Sequence, residues 1–453
     1  MSVLAIDLGA SGGRVMRADL HHGRMSVSEL HRFGNTPVKT DGQLRWNVAG
    51  LFREIKRGLA IAAEQGDFDS VGIDAWGVDY ALVDARGQAA PAVCYRDERT
   101  RGTRERVLSQ IPEGELYRRT GLQVNEIHTL FQLAAQPPGA GQSMLLMPDL
   151  FGWLLTGQKT CELSIASTTQ LLDPVTRDWD HALIREMGFP EECFLPIARA
   201  GKRLGNILPE HGLPQKPVIT VPGHDTACAV FSVPAEEESF LYISCGTWSI
   251  VGTELDAAVC TERARLSGLQ NEAGYAGKAQ LLRNITGLWL IQELRRCLGE
   301  RDGREYSYAE MEAMAAGSAP LAHQIDPDDA LFAMPGDMPA RIQKYTGQAM
   351  TDAQLLRCVY DSLALKYRWA AERLEAVTGR RFEKIYMVGG GIQSALLCGL
   401  TANALGRPVL AGPVEATAIG NAAAQMIALG QIADAAEARQ IIRESFAVKE
   451  YRP

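Results

Sequence analysis

No stretch of this chain approaches the roughly eighteen uninterrupted apolar residues that a membrane-spanning helix needs, so no membrane association is expected. A surplus of positive charge is also missing. Lys and Arg number 46 against 54 Asp and Glu, a formal net charge of −8, which disfavours a general nucleic-acid binder. The nine cysteines form no C-x-x-C pair; neither a disulfide framework nor a zinc site is readable, and scattered thiols point to a reducing, cytoplasmic setting. The start, Met-Ser-Val-Leu-Ala-Ile-Asp, carries no basic residue and Asp7 cuts its apolar run short, so no secretory leader is expected. The chain does have length and hydrophobicity. Its 453 residues, 46% of them hydrophobic, can fill large cores and suggest two or three domains at about 150 residues each.

Val3–Leu8 is a short apolar run ending in the turn Gly9-Ala10-Ser11-Gly12-Gly13, with a second run from Arg14, which reads as strand, tight turn, strand. Ser26–Phe33 follows as a strand, Gly50–Glu64 has the period of an amphipathic helix, and Ser70–Ile73, Tyr80–Val83 and Pro91–Tyr95 supply further short strands. Mixed strands and helices without a short repeat mean α/β architecture. Pro217–Val221 is a β-branched strand, Pro222-Gly223 a turn, and His224-Asp225-Thr226 opens an Ala-rich helix. The Pro-and-acid segment Val233–Ser239 reads as a domain boundary. Directly after it the opening pattern recurs, Phe240–Ile250 being a strand, a turn at Ser244–Thr247 and a strand. Duplication and chance likeness both remain open on this pattern. Gly287–Cys297 and Leu355–Val377 have helical spacing, and Ile385–Val388 is a strand running into Gly389-Gly390-Gly391, with a helix from Ser394. Pro413–Leu429 is dense in Ala, Gly and Thr on a helical pattern, as in a helix packed closely between domains, although Gly420 costs about 1 kcal/mol of helix propensity.

Neither G-x-x-x-x-G-K-[ST] nor a strand-borne G-x-G-x-x-G is present, so P-loop and Rossmann readings fail. The two glycine-bearing hairpin turns are either ordinary hairpins or nests of backbone N–H groups able to hold a polyphosphate. Asp7, at the end of its strand, either bonds neighbouring amides or holds magnesium through water. Asp225 is a helix cap or a carboxylate kept ionised by the helix dipole, positioned to take a hydroxyl proton during phosphoryl transfer. His224 and Thr226 flank it as candidate polyol partners. Asn284 and Thr286 either cap the next helix or bind ligand. Trp76, before Gly77-Val78-Asp79, is a sugar platform or a core-edge indole.

Taken in order, these segments resemble the FGGY carbohydrate kinases of the actin-like ATPase superfamily. The matching stretches are Ala5-Ile-Asp-Leu-Gly-Ala-Ser-Gly-Gly-Arg14, Gly72-Ile-Asp-Ala-Trp-Gly-Val-Asp79, Tyr95-Arg-Asp-Glu-Arg-Thr100 and Gly223-His-Asp-Thr-Ala227 in the first half. In the second they are Ser244-Cys-Gly-Thr-Trp-Ser249, Asn284–Gln292, Val388-Gly-Gly-Gly391 and Ala411-Gly-Pro-Val-Glu415. The resemblance implies two ribonuclease-H-like domains around a central cleft, residues 1–235 binding mainly sugar and 236–453 mainly ATP. It implies Asp225 as general base, sugar contacts at Gly77, His224, Asp225, Thr226 and Asn284, and ATP contacts at Ala10, Ser11, Gly12, Gly13, Arg14, Thr247, Gln292 and Gly390. Asp7 would stand near Mg²⁺. The implied reaction is transfer of the ATP γ-phosphoryl group to L-rhamnulose, giving the 1-phosphate, by a monomer or weak homodimer. L-Fuculose, D-xylulose or L-ribulose as acceptor, or a non-catalytic sugar sensor of the same fold, are the alternatives. Three positions depart from the family pattern. His128 replaces an Asn before Thr129-Leu130 and is left out of the expected site, Cys245 replaces a Ser in the second turn, and Ser394 replaces an Asn after the glycine run.

Overall fold

The computed structural model describes all residues from Met1 to Pro453. The chain divides into two compact units, one made of Met1–Ser232, Leu255–Leu281 and Ala416–Phe446, the other of Val233–Glu254, Leu282–Glu415 and Ala447–Pro453.

In the first unit the sheet runs in the order Lys202–Asn206, Pro217–Thr220, Ser70–Ala75, Ser2–Leu8, Gly12–His21, Arg24–Gly34. Ser2–Leu8 is its centre, antiparallel to Gly12–His21 and parallel to Ser70–Ala75. Its apolar stretch Val3–Ile6, buried on alternate sides alike, suits a strand covered on both faces. One cover is the helix Val48–Gln65, capped by Asn47 and buried at Leu51, Ile55, Leu59 and Ala62, an apolar stripe of helical period. The small-residue helix Ala416–Ala428 also belongs to this unit. There Gln425 donates to the Leu4 carbonyl (3.0 Å) and accepts from Ser70 Oγ (2.7 Å). A side chain on Gly72 would meet Asn421 at 2.5 Å, so glycine permits the close approach.

The second unit repeats the strand logic. Ala279–Thr286, Trp248–Leu255, Leu241–Cys245, Ile385–Val388, Val409–Ala411 and Lys449–Tyr451 lie in that order. Leu241–Cys245 is again antiparallel to its hairpin partner and parallel to a strand that arrives much later, Ile385–Val388. The long helix Asp352–Thr378 starts with a Thr351/Gln354 capping box and stops at Gly379 in the left-handed region. Ser394 caps the helix Ala395–Leu405 by accepting from Leu397 N, a task its hydroxyl does well.

Pro91–Tyr95 is not a strand. Only Val93 makes a bridge, to Arg45, while Ala92 O and Cys94 N bond Trp46 and Leu44; Pro91, lacking an N–H, cannot extend such a ladder. The helix expected at Gly287–Cys297 runs Trp289–Asp302 with Leu288 at its cap position and no side-chain cap bond. Asn284 and Thr286 lie in the preceding strand, so neither is a cap. All nine cysteines are free thiols.

Candidate functional site

The first unit gathers a group of buried acids at the ends of adjacent strands. Parallel register sets Asp7 beside Asp74, and Arg14, opposite Asp7 in the hairpin, closes on it at 2.5 Å. Asp7 therefore bonds a guanidinium, not neighbouring amides. Asp74 accepts from Asn421 Nδ2 (2.6 Å) through one oxygen, while the other, Oδ1, is buried without a partner. Burial and the neighbouring Asp7 push the Asp74 carboxyl well above the usual range. An orphaned oxygen beside a second carboxylate fits magnesium, which takes one or two carboxylates and leaves its other positions to phosphate and water. No group of three or more ligating side chains forms a cage of its own.

The turn after Asp7 is closed by Gly9 N donating to Gly12 O (2.8 Å) and braced by Asn35, whose side chain donates to Gly9 O (2.9 Å). Ala10 and Ser11 N–H make no bond within the chain, as an anion nest requires. Gly13 is a packing necessity, since a Cβ there would overlap the Phe33 ring.

Asp225 is the first residue of the helix Asp225–Phe231, with His224 at the cap position making no side-chain cap bond. Its Oδ1 accepts from Thr226 N at 2.6 Å and lies 3.3 Å from His224 Nε2. Desolvation by the surrounding walls pushes the carboxyl up, His224 opposes this, and Asp7 adds to it. The side chain keeps 31% exposure, so it remains reachable.

Two acids that local motifs do not reveal hold this segment. Glu162 Oε2 accepts from Gly223 N (2.8 Å), Ser164 N (2.8 Å) and Ser164 Oγ (2.5 Å), pinning the turn before His224. Glu272 Oε2 sits 3.1 Å from His224 Nδ1, at ion-pair distance but out of hydrogen-bond alignment. Although burial opposes the charged ring, Glu272 lifts His224 from 6.5 to about 8, and His224 in turn holds Glu272 below its usual range. A raised histidine stabilises the fold below its unfolded pKa, and that contribution is lost as pH rises through about 8. The shift from 6.5 to about 8 is worth about 2 kcal/mol. Urea unfolding should thus show a loss of that size between about pH 6 and about pH 9 in the native protein and little of it in Glu272→Gln.

Gly77-Val78-Asp79 is a strained, pinned turn. Val78 has φ +69°, unusual for a β-branched residue. Its N–H bonds Thr168 Oγ1 (3.0 Å) and its carbonyl accepts from Thr129 Oγ1 (2.7 Å) and Gln132. Asp79 is fully buried, accepts from Trp46 Nε1 (2.6 Å), Trp76 Nε1 (3.0 Å) and Gln132 Nε2 (3.1 Å), and is pushed up to about 6 by burial. Trp76 is thus a buried donor to Asp79, not an exposed platform. Backbone strain held this firmly is a frequent feature of ligand clamps.

In the second unit, Thr247 Oγ1 receives a bond from Gln292 Nε2 (3.2 Å), joining two candidates 45 positions apart. The Gly246 N–H is used internally, donating to Trp248 O (2.9 Å), and the Gly246 and Thr247 carbonyls take Leu288 N and Trp289 N. This turn therefore offers Thr247 N–H alone, a narrower donor set than a run of free amides. Gly389 and Gly391 pack on Cys245, where any Cβ would collide, while Gly390 faces open space. Cys245 turns its thiol inward toward Tyr367 OH (3.7 Å). Asn284 is exposed on its strand in this unit.

Residues 2–232 match the N-terminal domain, and residues 241–429 the C-terminal domain, of the FGGY family of carbohydrate kinases. A rhamnulokinase of Bacteroides thetaiotaomicron is 39% identical over 466 aligned positions, covering 99% of this chain and 95% of that protein. One of Oceanobacillus iheyensis is 38% identical, with 99% and 97% covered. Among solved structures, a ligand-bound xylulose kinase from Lactobacillus acidophilus superposes with a TM-score of 0.81 at 15% identity, covering 100% of this chain and 94% of that one. That likeness speaks to the fold.

Proposed function

Since the chain belongs to the FGGY family of carbohydrate kinases, we propose that it transfers the γ-phosphoryl group of ATP to L-rhamnulose, giving L-rhamnulose 1-phosphate and ADP. The observation that carries this reading is the whole-chain identity of 39% and 38% with rhamnulokinases. The geometry around Asp225 is consistent with it. The carboxylate is oriented by Thr226 N–H and paired with His224, leaving an oxygen to accept the proton of the acceptor hydroxyl. Phosphoryl transfer has a loose transition state, so positioning counts for more than base strength. We assign ketose binding to Gly77, His224, Thr226 and Asn284, with the sugar mainly on residues 1–235. ATP is assigned to Ala10–Arg14, Thr247, Gln292 and Gly390, mainly on residues 236–453. Magnesium held near Asp7 would neutralise charge on the phosphates. A cytoplasmic monomer or weak dimer belongs to the same reading; no helix is long and apolar enough to cross a membrane.

ADP release measured over a ketose panel tests the proposal. L-Rhamnulose should give the highest kcat/KM, above L-fuculose, D-xylulose and L-ribulose. A different preferred ketose would replace the substrate, and sugar binding without ADP release would mean a sensor.

The second turn supplies a further prediction. A Cβ on Gly246 comes no closer than 3.4 Å to Trp248 O, so Gly246→Val should fold while crowding Thr247 N–H. The KM for ATP should rise more than that for the ketose. The reverse order in steady-state kinetics would remove this turn from phosphate binding. Gly12→Val is the weaker test, because its Cβ would already press the Phe33 carbonyl at 3.1 Å.

A further inference from the structure

His128, set aside by the family pattern, has an unusually well-defined hydrogen-bonding state. It is 6% exposed, and its Nδ1 lies 2.8 Å from Gln170 Oε1. The Gln170 amide nitrogen donates to the Leu122 and Gln123 carbonyls at 3.1 and 3.4 Å. The other end of that amide is therefore oxygen, which can only accept, so His128 Nδ1 must carry the proton. Burial holds the imidazole below its ordinary pKa, so the ring is neutral and Nε2 is a bare acceptor. No protein group bonds Nε2, yet it is not among the buried polar atoms sealed without a partner. A nine-tenths buried ring thus turns one unpaired lone pair toward accessible space. Gln170 is itself held at φ +62°, a left-handed conformation that a non-glycine residue keeps only when its surroundings over-determine it.

The location is specific. Thr129, the next residue, donates to the Val78 carbonyl, and Gln132 one turn on bonds Val78 and Asp79. His128 therefore adjoins the Gly77–Asp79 turn. The Glu272 charge acts on both imidazoles, His128 and His224. His224, protonated beside two carboxylates, has Nδ1 sealed against Glu272 and leaves Nε2–H alone as a donor; His128 presents a lone pair. A polyol hydroxyl both donates and accepts, so the pair covers both needs.

We propose that His128 Nε2 accepts a hydrogen bond from one hydroxyl of the ketose, with Gln170 as the positioning residue that fixes the tautomer, so that His128 selects among ketoses by hydroxyl pattern. The assignment rests on the ketose-kinase reading above.

The test is steady-state kinetics of the full chain with L-rhamnulose and its single-deoxy analogues, for the native enzyme, His128→Phe and His128→Asn. Phe keeps the ring bulk without an acceptor, and Asn restores an acceptor oxygen. His128→Phe should raise the ketose KM about ten-fold or more and leave the KM for ATP unchanged, and Asn should recover most of the loss. One deoxy analogue should be used equally well by the native enzyme and the Phe variant. An unchanged ketose KM in His128→Phe, or no analogue with that equality, overturns the assignment while leaving the kinase reading intact. If native enzyme turns over no ketose, both fall. Should the Phe variant not fold, His128→Leu, which also lacks an acceptor, decides: discrimination across the deoxy series must be lost at one hydroxyl, and an unaltered series overturns the proposal.

Discussion

Asp225→Asn should bind ketose and ATP much as the native chain does and lose about 10²–10⁴-fold in turnover, the usual contribution of a general base. The substitution keeps shape. Asn can still accept from Thr226 N–H, which now meets Oδ1 at 2.6 Å, so the helix start has no reason to move. The amide loses the negative charge that faces His224 and, with it, the capacity to take a proton. A second signature follows from the direction of the pKa shift. The Asp225 carboxyl is raised by desolvation, and a base works only when deprotonated, so native turnover should fall on the acid side at a pH above the ordinary carboxylate range. The residual activity of Asp225→Asn should lack that limb. A variant within ten-fold of native kcat, or one keeping the acid limb, would show that another group accepts the proton.

Gly420→Ala carries the second large effect, and its sign is the point. Alanine is better than glycine in a helix by about 1 kcal/mol, so sequence reasoning alone predicts stabilisation. The structure reverses this. A Cβ on Gly420 would overlap the Cys228 carbonyl of the helix Asp225–Phe231, and a backbone carbonyl cannot swing aside as a side chain does. Overpacking costs about 1–3 kcal/mol, occasionally more, and an obstructing backbone puts this case at the upper end. The urea midpoint should drop, and kcat with it, because the displaced helix begins at Asp225. Gly399, in the helix Ala395–Leu405, is the control. Nothing lies within 4 Å of its Cβ position, so Gly399→Ala should gain about 0.5–1 kcal/mol. A more stable Gly420→Ala would contradict the packing.

Much of the scaffold was legible because it rests on short-range patterns. Ile385–Val388 was read with its observed bounds, and Val3–Leu8 fell within one residue of Ser2–Leu8; apolar runs broken by glycine turns are local signals. The candidate site was legible only where its residues sit in motifs, as His224-Asp225-Thr226 and Gly77 do. Glu272, 47 positions from Asp225, and Glu162, which pins the turn before it, carry no local signature. His128 was visible but set aside, because its tautomer depends on the Leu122 and Gln123 carbonyls that hold Gln170.

The division between sequence and tertiary structure therefore follows the range of the interactions. Strand and helix identity, the glycine turns and the placing of Asp225 at a helix start were settled by neighbours a few residues apart, through backbone conformation and apolar period. Protonation states and close approaches were decided only by folding. Whether Asp74 stands beside Asp7, whether His224 is held charged by Glu272, and whether Gly420 may be anything but glycine depend on charges and atoms brought together from distant positions. Electrostatic and steric energies act through space, and the linear order of residues does not contain those distances.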